Sequence, residues 1–379
     1  MVSSRLILLL CSSLLSAQES FEDYKKRQDH SFKKEKTHFI DFKKAEDDTF
    51  QSHLKQEKEA IASYKKRVRA FWPEADLGNA KKLVSYSKDL MTKRVIDFEK
   101  NKITIAKISS DKESAQEQLF KELDKTLELD NLQVFSESQL EQEINMISKR
   151  SKYVKTAKLD GQKLLKTPIT DTSIKHKDIT LVKEDNTYKL TYDLPKDSTY
   201  KRSFSYLAVA KSNAQRFRLQ AQWLLAIMHC ESSFNPMARS WVPAYGLMQI
   251  VPKSAGIDAY YFLYKKRRLL SASYLYNTKN NIETGSAYFH ILYFKYLASI
   301  KNPMSRLYCA IAGYNTGAGN VARAFVGTNS VKSAAALINN MEPEKVYEYL
   351  LKHLRHDEPK EYLKKVRARS QTYKTLYKL

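Results

Sequence analysis

The chain has 379 residues, a formal net charge of +23 and 42% hydrophobic residues, so it is too long for one small domain and too apolar for wholesale disorder. Only 9 Gly and 9 Pro favour long helices over a turn-rich sandwich or barrel, and 3 Cys cannot build a disulfide framework. No apolar run is long enough to span a bilayer, and the excess of Lys and Arg points to an anionic partner: nucleic acid, acidic lipid or a carboxylate-bearing polymer.

Residues 1–17 read as an export signal: Arg5, the apolar run Leu6 to Cys11, then small residues. Cys11 is a candidate lipidation site of the bacterial lipoprotein type. Ser12 and Ser13 after it suit that reading, whereas Leu10 before it departs from the usual small residue. Export to the cell envelope, as a periplasmic protein with or without an outer-membrane lipid anchor, argues against nucleic acid as the partner.

Residues 18–70 contain no Gly or Pro and are dense in Lys, Glu and Asp, with Phe32, Phe39, Phe42, Phe50 and Leu54 loosely spaced. A long, mostly solvated charged helix is expected there. Residues 71–200 read as an α+β domain. Ile96 and Phe98, a polar turn at 99–102, then Ile103 and Ile105 form one hairpin pattern; Ile179 to Leu194 forms another. Between them, residues 111–158 carry Leu119, Leu123, Leu127, Ile144 and Ile147 at helical spacings. From 201 to 379, helical patterns alternate with glycine-containing loops, a scaffold suited to a groove. The fold class is mainly α.

The sharpest local feature is Leu224 to Pro236. Leu224, Ile227 and Met228 make one helical stripe, and Glu231 falls on the same stripe near the helix end that Pro236 enforces. Desolvation and the negative end of the helix dipole both favour the protonated acid, as a general acid near neutral pH requires. On spacing alone, a helix-end Glu that bends out to water fits at least as well. Three further segments bear on the choice: Gly246-Leu247-Met248-Gln249, the glycine-rich Gly313-Tyr314-Asn315 loop, and Glu358 with Tyr362. Amides, hydroxyls and aromatic faces are the groups that read sugars.

With these segments in order, the sequence from about 215 to 373 resembles the lytic murein transglycosylases of the soluble-lytic-transglycosylase family, and is most similar to their membrane-bound C group. The shared motifs are Glu231-Ser232 with Asn235-Pro236, Gly246 to Gln249, Gly313-Tyr314-Asn315, and Glu358 with Tyr362; Asn281 to Gly285 matches a recurrent helix start. Gly313 replaces a usual Ala, and Pro359-Lys360 alters the run between Glu358 and Tyr362. The resemblance implies a lysozyme-like helical domain that cleaves the bond between N-acetylmuramic acid and N-acetylglucosamine without water. Glu231 would act as acid and then as base, leaving a 1,6-anhydro end. It also implies substrate-binding roles for Ser240, Gln249, Tyr314, Asn315, Glu358 and Tyr362. The partners it implies are peptidoglycan glycan strands and other cell-wall enzymes, with no cofactor.

Two other readings stay open: a hydrolytic muramidase on the same fold, and a wall-binding scaffold with a structural Glu231. Gly317 to Ala322 fits a loose dinucleotide-binding pattern but lacks a preceding strand. His229, Cys230 and Glu231 are consecutive on a helix and splay apart, so no metal site is expected. Cys230 and Cys309 are either a pair or two small buried residues.

Overall fold

The computed structural model describes Lys44, residues 47–165 and residues 179–379. The expected export signal, Cys11, and Phe32, Phe39 and Phe42 of the charged segment lie outside the described residues. The chain divides between Leu54 and Lys55. In the first unit, residues 47–54 are helical.

The second unit begins with helix α1 (55–69), which turns Tyr64 and Val68 inward on one face, with Ile61 partly buried beside them. Trp72, just past its end, donates its indole N–H to Leu90 O at 2.7 Å. Five strands follow: β1 (Lys82–Tyr86), β2 (Thr92–Asp97), β3 (Lys102–Ile108), and after an intervening helical stretch β5 (Ile179–Glu184) and β6 (Thr187–Asp193). They form one antiparallel sheet in the order β1-β2-β3-β6-β5. Both expected hairpins are present, joined by the pairing of β3 with β6, which sets Ile105 opposite Leu190. Strand β1 is an addition to what the periodicity indicated.

The expected helical run 111–158 resolves into α2 (Lys112–Leu127), α3 (Asn131–Glu137), α4 (Gln139–Lys149) and a short strand β4 (Val154–Lys155). The breaks have a local cause. Asp130 makes a capping box with Gln133, and the Ser138 side chain accepts from Glu141 N, so each starts a new helix where a continuous one was expected. Strand β4 pairs in parallel with β7 (Leu269–Leu270), a direct tie to the helical half.

That half comprises α5 (Ser198–Phe217), α6 (Ala221–Ser232), α7 (Ile257–Tyr264), α8 (Ala272–Tyr276), α9 (Thr278–Ile291), α10 (Pro303–Thr316), α11 (Ala318–Val326), α12 (Val331–Ile338), α13 (Pro343–His353) and α14 (Asp357–Tyr377). The mainly α architecture, with a small antiparallel sheet in its N-terminal part, is the one expected. The expected boundary at 201 falls in the first turn of α5. One hydrophobic core runs from Ile103, Ile105 and Leu190 of the sheet, through Leu224 to Met228 of α6, to Leu363, Val366 and Tyr373 of α14.

Arg202 of α5 bolts the sheet to the end of α6. Its guanidinium is buried and donates to Phe98 O at 2.7 Å, to Asn101 Oδ1 at 3.1 Å and to Ser233 O at 3.4 Å. Burial pulls its pKa down to about 10, so it remains charged at neutral pH. Replacing Arg202 by Ala strands buried carbonyls on both sides of this joint, and we expect a loss of about 2–4 kcal/mol in urea unfolding.

Candidate functional site

The middle of helix α6 is buried on every side: Leu224, Leu225, Ala226, Ile227 and Met228 are each 0% exposed. Its last turn is less enclosed: His229, Cys230 and Glu231 are half-buried there. Glu231 sits in its last turn. The helix ends at Ser232, three positions before Asn235, because Ser233 (φ 50°) and Phe234 (φ 64°) take left-handed backbone. Two consecutive non-glycine residues in that region cost roughly 1–2 kcal/mol each. The surroundings hold them there: Phe234 is fully buried, and Asn235 donates to Ala80 O at 3.2 Å.

The Glu231 carboxyl is pushed up from the usual 4.5 to about 7. Burial is the main cause; the Glu358 charge adds to it, while the Tyr362 hydroxyl and Lys81 oppose it. Tyr362 is buried, and its hydroxyl has no partner at standard hydrogen-bonding geometry, so it stands beside the carboxyl as a donor in reserve. Tyr314 donates its O–H to Met248 O at 2.9 Å and also feels the Glu231 charge. Burial raises both tyrosines well above their usual value, so both stay neutral donors. Asn315 Nδ2 lies 3.4 Å from Glu358 Oε1.

The turn 246–249 is locked onto this centre. Ser232 Oγ donates to Leu247 O at 2.8 Å and lies 3.0 Å from Met228 O. Asn281 is fully buried; its amide donates to Tyr245 O and Leu275 O, both at 2.8 Å, and its Oδ1 accepts from Met248 N at 2.8 Å. Gly246 (φ 74°) leaves no room for a side chain, since a Cβ there would lie 2.3 Å from Leu275 O. Gly285 likewise admits Met248, whose Sδ would lie 2.4 Å from a Cβ at that position. Gln249 is in this turn with left-handed backbone (φ 47°), not in a helix, and its amide donates to Gly246 O at 3.0 Å.

Glu231, Tyr314, Asn315, Glu358 and Tyr362 are therefore brought together from α6, α10 and α14, with Gln249 on the turn that fixes Tyr314. Ser240 lies on the next loop, where its hydroxyl is engaged by Val242 O and by Ala244 N. Asn281 lies one turn inside α9, which Asn277 caps, so it is a loop anchor rather than a helix start. Lys81, held by Glu99 at 2.5 Å, is a site neighbour that no pattern in the sequence marked. Cys230 and Cys309 are both free, and Arg369 Nη1 lies 3.1 Å from Cys230 Sγ. His229 Nδ1 lies 2.9 Å from the Tyr373 hydroxyl; the ring is half-buried, and desolvation pulls it down to about 3, so it is a neutral packing partner.

Two outcomes follow. Glu231 holds its proton up to about 7 in the fold but ionises near 4.5 when unfolded, so stability falls as pH rises through that window. Glu231→Gln should therefore be more stable than the parent at pH 8 by roughly 1–3 kcal/mol, the gain shrinking toward pH 4, as urea unfolding at both pH values can check. Asn281→Ala removes three buried hydrogen bonds from the turn, and should lower urea stability by about 2–4 kcal/mol.

Comparison with known proteins places this site in context. Residues 208–337 match the family described as Transglycosylase SLT domain. This agrees with the lysozyme-like helical fold that the motifs implied. Over 187 residues, 49% of this chain, it is 41% identical to the membrane-bound lytic murein transglycosylase C of Klebsiella pneumoniae and 39% identical to that of Serratia proteamaculans. The chain spans about half the length of these relatives, 51% in each case. Among solved structures, the 70 kDa soluble lytic transglycosylase of Escherichia coli aligns at 22% identity with a TM-score of 0.37, covering 48% of this chain and 26% of that one. An inactive mutant of the lytic transglycosylase Slt of Pseudomonas aeruginosa aligns at 23% identity and a TM-score of 0.36, covering 47% and 25%. Residues 208–337 are thus similar to the transglycosylase SLT domain, and about half of the chain is similar to membrane-bound lytic murein transglycosylases C.

Proposed function

We propose that this chain is a peptidoglycan lytic transglycosylase in which Glu231 is the one acid–base group. The observation that carries the reading is a carboxyl in the last turn of a helix with a fully buried middle, its pKa pushed up to about 7 and bordered by two neutral tyrosines. Glu231 gives its proton to the glycosidic oxygen between N-acetylmuramic acid and N-acetylglucosamine, and the C1–O bond breaks. The 2-acetamido oxygen steadies the cationic C1. The ionised Glu231 then takes the proton of the muramyl 6-hydroxyl, whose oxygen bonds to C1 and leaves a 1,6-anhydro ring. A hydroxyl already tethered to the reacting sugar has a high effective concentration, so no second carboxylate need activate water.

In this reading the Tyr362 hydroxyl donates to the carboxylate that forms after the first step. Tyr314, Gln249 and Asn315 border the sugar, and Ser240 orients an acetamido group. Glu358 is exposed and acts through its charge, which favours the acid form of Glu231. The names of the relatives support an envelope location. Among the described residues no helix is long and apolar enough to cross a membrane. We place the chain in the envelope by export, with Cys11 as the lipid-bearing residue; fatty-acid labelling that is lost in Cys11→Ser is the expected result.

Purified protein incubated with sacculi should release muropeptides one water lighter than hydrolysis products, as mass spectrometry reads directly. Reducing ends alone would establish the muramidase instead. Glu231→Gln should lower the rate by about 10²–10⁴-fold, and the parent's rate should fall above pH 7 as the acid form is lost. A fold-intact Glu231→Gln that still digests sacculi at the parent rate would establish a structural Glu231.

A further inference from the structure

Beside the site, residues 240–244 form a tight loop closed by an antiparallel bridge between Arg239 and Tyr245. Ser240 N–H donates to Ala244 O at 3.1 Å across its neck. Its tip is apolar and in solvent: Trp241 is 92% exposed and Val242 65% exposed. An indole can bury on the order of 150–250 Å², so leaving it in water forgoes a large apolar gain.

The base of the loop is built in the opposite way. Arg239 Nη2 meets Glu57 Oε1 at 2.5 Å and its Nη1 meets Glu141 Oε1 at 3.3 Å. Tyr245 donates to the same Glu57 oxygen at 2.6 Å, and Tyr276 donates to Glu141 at 3.2 Å. The three charged side chains are only 6%, 12% and 17% exposed for Glu57, Glu141 and Arg239. A buried ion network contributes little net stability against an apolar alternative, yet breaking it is costly, so it fixes one geometry. Both feet of the loop are thus held by side chains from α1, α4 and α8 while the aromatic tip stays exposed.

The loop is also continuous with the site. Tyr245 pairs on its far side with Ile250, closing the 246–249 turn that carries Gln249 and the Met248 carbonyl bound by Tyr314. On α1, Lys65 Nζ lies 5.4 Å from the centre of the Trp241 ring. An exposed indole with an ammonium beside it matches a sugar whose ring face is apolar and whose peptide substituent ends in carboxylates.

We propose that Trp241 is a stacking platform for a sugar ring of the glycan strand beyond the residues around Glu231, with Lys65 pairing a stem-peptide carboxylate. This rests on the peptidoglycan reading of the site. The test uses the full chain as Glu231→Gln, so that substrate survives, titrated with soluble glycan oligomers bearing stem peptides and followed by tryptophan emission. Parent cleavage of sacculi is measured in parallel. The oligomer should shift the emission. Adding Trp241→Ala should abolish that shift and weaken binding about three- to tenfold, whereas Trp241→Phe should keep most of the affinity. In the active enzyme, Trp241→Ala should raise KM for sacculi and leave kcat unchanged. Equal oligomer affinity with and without Trp241, in a parent that cleaves sacculi, would overturn the platform and leave the enzyme reading intact. No oligomer binding and no cleavage would overturn both. An emission shift with phosphatidylglycerol-containing vesicles and none with the oligomer would assign the tip to lipid and overturn the glycan platform.

Discussion

The structure depends on one unfavourable placement: a half-buried carboxyl at the carbonyl end of a helix whose middle is fully enclosed. Burial and the nearby Glu358 charge hold Glu231 in its acid form to about pH 7. Everything near it is arranged to keep that placement. Leu224 to Met228 exclude water along the helix. Two left-handed residues, Ser233 and Phe234, turn the chain away at once instead of letting the last turn fray. Ser232, next to the acid, spends its hydroxyl on Leu247 O and so ties the helix end to the loop that shapes the site.

The N-terminal part is not an appendage to this centre. Arg202 spans from the β2–β3 turn to the carbonyl just past the helix end, Asn235 reaches Ala80, and the Lys81 charge limits the rise in the Glu231 pKa. Farther along, Glu57 and Glu141 hold Arg239 and Tyr245 at the feet of the 240–244 loop. Both halves share one core. The stretch 208–337 that matches the SLT family model is therefore scaffolded partly by residues outside that stretch.

Much of this was legible in the sequence because the signals were local. The two hairpins followed from alternating Ile and Tyr–Leu patterns, and Glu231 from its place on an apolar stripe. The breaks in 111–158 were missed because Leu119, Leu123 and Leu127 keep helical spacing while Asp130 and Ser138 override it by capping. The left-handed backbone of Gln249 was not marked by the motif; its turn is set by Gly246 and by the buried Asn281 amide from α9. Lys81, Arg202 and the Glu57–Arg239–Glu141 network could not be read at all. Their meaning lies in pairings across distant parts of the chain, and in the sequence they are indistinguishable from the many other charged residues. Tyr314, Glu358 and Tyr362 act on or feel the Glu231 charge and Asn315 contacts Glu358, whereas the Ser240 hydroxyl is engaged within its own loop.

The central claim is that Glu231 carries its proton at a pH where an ordinary glutamate has lost it. Carbon-13 NMR of a glutamate-labelled chain, with the Glu231 resonance assigned by its loss in Glu231→Gln, titrates that carboxyl alone. A midpoint near 7 is the expected result. A midpoint near 4.5, the value of a free side chain, would mean that the carboxyl is hydrated and ionised, and would contradict the account.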